Sequence, residues 1–176
     1  EFLAVERPIE NTARSMAAVV FTDIVDSTKR AESMGDRRWA ALLNVHDETA
    51  NDVLARHDGR LVKSTGDGVL GMLAGPGRAI RAAEDLRAKL QQLDIQIRCG
   101  IHTGEVELRR DDVAGIAVHI ASRAMSAALP GEIIVTSTVR DLVAGSGIAL
   151  SDRGSHELKG VDGTWHLYSV EPSRSA

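Results

Sequence analysis

The spacing of apolar and polar positions changes period repeatedly along the chain, and each change marks an element. An apolar run over residues 16–21 predicts a first strand that ends at Asp23, just before the polar pair Asp26-Ser27. Ser27 is read as the N-cap of a short helix reaching Gly35, with Ala31 and Met34 on one side. A second helix is predicted over residues 36–56, where Trp39, Leu42, Leu43, Val45 or His46, Ala50, Val53 and Leu54 recur at helical spacing and His57-Asp58-Gly59 ends the run. Residues 60–63 and 69–73 read as the arms of a hairpin tipped by Gly66-Asp67-Gly68, whose glycines supply the freedom of a tight reversal. Gly75-Pro76-Gly77 breaks the chain before a helix over residues 79–93, in which Ile80, Ala83, Leu86 and Leu90 share a face and Lys and Arg fill the other.

Residues 95–102 alternate through Ile95, Ile97, Cys99 and Ile101, a strand that continues past Gly104 over residues 105–108. A charged turn (109–112), a helix (115–128) closed by Pro130-Gly131, a strand (132–136) and a short helix (137–143) follow, then strands near 148–152 and 164–170 with Lys159-Gly160 between them. The order βααββαβ with smaller elements after it fits an α+β fold: a ferredoxin-like βαββαβ core with additional C-terminal strands and a short helix, its helices on one face of the sheet. Strand ends and the hairpin tip then share one rim.

Composition narrows the class. The 176 residues suffice for one domain with a sizeable core, assigned to residues 16–172 between an N-terminal tail (1–15) and a short C-terminal one (173–176). With 43% hydrophobic and 26% charged residues and no apolar run near the ~20 residues that span a bilayer, the chain reads as globular and not membrane-embedded. A net charge of -4 argues against nucleic acid as a main partner. The single Cys99 lies in an apolar run and reads as a small buried hydrophobe; one cysteine forms no internal disulfide, and with no secretory signal at the start the expected setting is the cytoplasm. The absence of an initiator Met suggests a fragment or processed chain.

The candidate chemistry lies at the rim. Hard divalent cations take oxygen ligands, and Mg2+ typically keeps one or two protein carboxylates and gives its other positions to water and phosphate. Asp23 at a strand end and Asp67 at a hairpin tip suit such an ion as a pair, although either alone reads as an ordinary turn aspartate. Lys63 precedes the hairpin tip by four residues, and Asp112 precedes a helix that carries His119 and Arg123 one turn apart. Adenine offers an acceptor at N1 beside a donor at its 6-amino group; Lys only donates and ionised Asp only accepts, so the two match adenine's edge and mismatch guanine's. On residues alone, each reads more readily as a surface charge or as half of a mutual salt bridge.

Four separated motifs in one order resemble the class III adenylate and guanylate cyclase catalytic domain, of the bacterial adenylate cyclase type. They are Phe21-Thr22-Asp23-Ile24, Lys63, Gly66-Asp67-Gly68 and the D-x-x-G-x-x-V-H-x-A-S-R run from Asp112 to Arg123. The resemblance implies two divalent ions, Mg2+ or Mn2+, at a metal site of Asp23, Ile24 and Asp67. It implies Lys63 and Asp112 as adenine readers, Arg98 and Lys159 as holders of the β and γ phosphates, and Arg123 as the group stabilising the transition state. One position departs: His119 stands where the family usually has an Asn that orients the ribose. Imidazole can also donate a hydrogen bond, and its charge can change between about pH 5 and 8, so the activity's pH dependence would be shaped partly by it; a helix residue bonded to a neighbour is the competing reading. The other histidines show no metal-ligand spacing.

The implied reaction converts ATP to 3',5'-cyclic AMP and pyrophosphate at composite sites of a homodimer, with the metal carboxylates from one subunit and the base readers, His119 and Arg123 from the other. The alternatives are a guanylate cyclase and a silent nucleotide-binding regulatory domain, the latter favoured by the departure at His119.

Overall fold

Ala17, Ala18, Val19 and Val20 are all buried, so the first strand is apolar on both faces and belongs inside a sheet covered on both sides. The computed structural model describes residues 13–173. Its elements are β1 (Ala13–Ile24), α1 (Ser27–Met34), α2 (Asp36–Arg56), β2 (Arg60–Ser64), β3 (Gly68–Leu73), α3 (Pro76–Gln92), β4 (Ile97–Arg109), β5 (Asp112–Ala114), α4 (Ile116–Ser126), β6 (Ile133–Thr136), α5 (Ser137–Leu142), β7 (Leu150–Glu157) and β8 (Thr164–Val170). They form an α+β fold around one sheet in the order β2-β3-β1-β4-β6-β8-β7, with β5 paired to β4. β1 is antiparallel to both β3 and β4, and β4 to β6 is a parallel pair. No helix among the described residues is long and apolar enough to cross a membrane.

The helices do not all lie on one face, as the element order had led us to expect. Ala18 and Val20 face α2 and α3, where Leu54, Ile80 and Ala83 pack on them, and Ile24 meets Val53, Leu86 and Leu90 further along. Ala17 and Val19 point the other way, onto Ala117 and Ala121 of α4. The close seat of α4 depends on Gly100 of β4, where a Cβ would come within 2.2 Å of the Met125 nitrogen and 2.4 Å of the Ala121 oxygen. The ferredoxin-like core thus carries an additional helix on its opposite face, because the central strands are apolar on both sides.

Several boundaries moved for local reasons. α3 starts at Pro76 instead of after it, since proline's fixed φ and missing N–H are harmless in a first helical turn. Ser27 is not the N-cap of α1: Asp26, left-handed at φ 55, holds that place without a side-chain capping bond. β4 begins at Ile97, two residues later than the alternation, and β7 runs on to Glu157 across an irregularity between Asp152 and Ser155. Ala13, Arg14 and Ser15, expected in the N-terminal tail, extend β1 by pairing with Leu108, Glu107 and Val106. The remainder of that tail and residues 174–176 lie outside the described residues.

Candidate active site

Asp23 lies one residue from the end of β1, opposite Gly68 of β3 on one side and Arg98 of β4 on the other. Of the two tip glycines only Gly66 (φ +92) serves the reversal. Gly68 is demanded by proximity instead, since a Cβ there would sit 1.8 Å from the Thr22 carbonyl oxygen. This approach lets the Ile24 N–H donate to the Asp67 carbonyl at 2.6 Å, which fixes the tip against the end of β1. The Ser27 hydroxyl, freed from capping, donates to Asp67 Oδ2 at 3.0 Å. Arg98 donates through Nε and Nη2 to the two oxygens of Asp23, at 2.9 and 2.5 Å. The Asp23 hydrogen bond raises the Arg98 guanidinium above its ordinary range against the pull of burial, with the charges of Asp23 and Asp67 adding to it. Asp23, Ile24, Asp26, Ser27, Asp67 and Arg98 line an open cleft of about 270 Å³.

The donor chemistry of this cleft fits a hard divalent cation: the carboxylates of Asp23, Asp26 and Asp67, hydroxyl oxygen nearby, and no thiol or imidazole in its lining. Among the described residues no group of three or more His, Cys, Asp or Glu side chains converges as a metal cage. The Ile24 side chain is in the core, so Ile24 could contribute only its main-chain oxygen.

Lys63 is re-aimed by a bulge. The β2–β3 register slips between Leu61 and Lys63, so Lys63 falls opposite Leu70 and on the α4 side of the sheet, whereas Leu61 packs beneath with α2 and α3. There Lys63 Nζ lies 3.0 and 3.2 Å from the two oxygens of Asp112 on β5. β5 is bonded to the far side of β4, so this contact requires the sheet to curl until its edge meets β2. The Lys63 hydrogen bond, ahead of a second one from the Val113 N–H, holds the Asp112 carboxyl below its ordinary range. The mutual pair that the sequence left open is the arrangement found.

α4 presents His119 and Arg123 on one side. Arg123 Nε is buried without a hydrogen-bond partner, an unused donor. His119 is bonded to a neighbour, its Nε2 lying 3.1 Å from the Lys159 carbonyl oxygen. The expected site residues therefore fall into three groups within one chain: Asp23, Asp67 and Arg98; Lys63 and Asp112; His119, Arg123 and Lys159.

Three supports of this site carry no sequence signal. Ser27 reads only as a cap. Asp47 of α2 accepts from Ser64 at 3.0 Å and lies 2.8 Å from His46 Nδ1, tying the helix to β2 beside Lys63. His102, behind the rim on β4, is buried with Nδ1 2.7 Å from Thr136 Oγ1 and Trp165 edge-on to its ring.

Residues 9–172 match the sequence model of the family described as the adenylate and guanylate cyclase catalytic domain. An uncharacterized protein of Mycobacterium tuberculosis is 30% identical over 136 residues, 76% of this chain and 36% of its own length. The adenylate cyclase of Streptomyces coelicolor is 33% identical over 129 residues, 72% of this chain and 34% of its own length. The chain thus spans about a third of these curated relatives. The crystal structure of the adenylyl cyclase CyaB from P. aeruginosa superposes with a TM-score of 0.86 at 24% identity, covering 93% of this chain and 97% of that one, a likeness of fold.

Proposed function

The chain belongs to the adenylate and guanylate cyclase catalytic domain family, and from that membership we propose that it is an adenylate cyclase working as a homodimer with shared sites. The observation that carries the choice of base is the Lys63–Asp112 pair, a donor and an acceptor held side by side on the α4 face. Adenine's edge accepts at N1 and donates from the 6-amino group, so one planar base satisfies both side chains when it parts them. Guanine leaves each facing its own kind, and buried polar groups without partners discriminate strongly.

In the proposed reaction the ribose 3'-oxygen attacks the α-phosphorus of ATP and pyrophosphate leaves as the 3',5'-ring closes. Two divalent cations, Mg2+ or Mn2+, held at Asp23, Asp67 and the main-chain oxygen of Ile24, would supply activation of the 3'-oxygen and neutralisation of the triphosphate. Arg98 exchanges part of its hold on Asp23 for phosphate oxygens, a change of one anionic partner for another. Lys159 meets the β and γ phosphates, and Arg123, with its spare buried donor, meets the charge that grows on the phosphoryl oxygens. The substrate's own hydroxyl is the nucleophile, so no side chain forms a covalent intermediate.

The separation of the three groups supports the dimer. Asp23 and Lys63 are two strands apart on the sheet, and Lys63 turns toward β5 and away from the Asp23 cleft. A second copy placed head to tail would set the base readers and Arg123 of one chain over the carboxylates of the other, giving two equal sites. Ile116, a large apolar side chain 59% exposed at the start of α4, supports a partner surface on this face of the sheet.

Turnover of ATP and GTP by the purified protein with Mn2+, followed by cyclic nucleotide formation, tests the proposal. Cyclic AMP is expected, with ATP preferred and Asp67→Ala inactive. Cyclic GMP as the main product identifies a guanylate cyclase, and no product from either nucleotide identifies a silent binding domain.

A further inference from the structure

The contact between His119 and the loop after β7 is built from both sides. A carbonyl oxygen only accepts, so the His119 Nε2 that lies 3.1 Å from the Lys159 oxygen carries the hydrogen. The next residue, Gly160, has φ +80, and a Cβ there would fall 2.8 Å from the same nitrogen. The imidazole therefore rests on bare main chain, and the loop accepts it because residue 160 has no side chain. Around this polar stitch the seam is apolar: Leu158 is buried with Ile120 and Ala124 of α4, and Val161 and Trp165 pack on the same cluster.

We infer that His119 is a positioning residue that clasps the Lys159 loop to α4, so that the Lys159 ammonium and the Arg123 guanidinium meet the triphosphate as one preset unit. The inference rests on the reading of Lys159 and Arg123 as phosphate ligands given above. Without the clasp, the loop carrying Lys159 would have to be ordered at the moment of binding, which weakens affinity. Reach accounts for the residue type. An asparagine amide at position 119 ends about where the imidazole Nδ1 lies, too short for the Lys159 oxygen, whereas a glutamine amide ends near Nε2 and donates in the same direction.

Amide hydrogen exchange over residues 159–163 of the nucleotide-free protein reads the clasp without any turnover. Exchange is expected to quicken roughly fivefold or more in His119→Ala and His119→Asn, and to stay near the parent rate in His119→Gln. Gly160→Ala, which pushes the ring off the carbonyl from the other side, is expected to quicken the same amides. In turnover, His119→Ala and His119→Asn should raise KM for ATP roughly three- to tenfold with kcat less affected, His119→Gln should restore it, and His119→Ala should add nothing in a Lys159→Ala background. Unchanged exchange in His119→Ala and Gly160→Ala overturns the clasp. Quickened exchange with KM unmoved overturns its part in holding the triphosphate. If the parent protein forms no cyclic nucleotide, the cyclase reading and the phosphate role fall together, while exchange still decides whether His119 holds the loop.

Discussion

Arg98 and Asp23 face each other across β4 and β1, and the guanidinium engages both carboxylate oxygens. The carboxylate proposed to hold a divalent ion is thus already partnered by a cation of the protein, and metal must compete for it. Arg98→Ala is expected to tighten Mn2+ binding to the nucleotide-free protein roughly tenfold, measured by calorimetry, while turnover falls because a phosphate ligand is lost. Unchanged Mn2+ affinity would mean that the pair does not restrain the metal site.

Lys63 and Asp112 are both about two-fifths exposed, so their ion pair adds less than about 1 kcal/mol to stability. Their expected role is selection of the base. Lys63→Ala should lower the ratio of kcat/KM for ATP over GTP by roughly ten- to a hundredfold with little change in melting temperature. A retained ratio would place base selection elsewhere.

Burial pushes the His102 imidazole down to about 4 from its ordinary 6.5. The native state thus keeps it neutral where the unfolded chain takes up a proton. Its contribution to stability is complete above about pH 6.5 and is lost as pH falls through 4, on the order of 3 kcal/mol in all. Urea unfolding at pH 7.5 and 4.5 should show a smaller pH dependence in His102→Asn, whose amide can meet Thr136 in place of Nδ1. An equal dependence in both proteins would assign the acid loss to other groups.

The parts of this account legible in the sequence are those set by local periodicity and by motifs. α2 occupies the span its helical spacing marks, and the rim shared by Asp23 and Asp67 follows from an apolar run ending beside a glycine hairpin. The seat of α4 on the opposite face was not legible, because Gly100 in a strand carries no sign of which backbone will approach it. The bulge that turns Lys63 toward β5 was equally hidden, since it depends on how two strands register. Ser27 shows the limit of local signals: its position suits a cap, yet its hydroxyl goes to an aspartate forty residues away.

The most direct test of the shared-site adenylate cyclase is cyclic AMP formation by a mixture of Asp23→Ala and Lys63→Ala chains. Each parent dimer lacks an essential group at both sites, whereas a heterodimer assembled head to tail holds one intact site and one doubly damaged. With random reassortment, roughly a quarter of the unmodified activity is expected from an equal mixture of two nearly inactive parents. A mixture no more active than its parents, in a preparation where heterodimers are present, would contradict it.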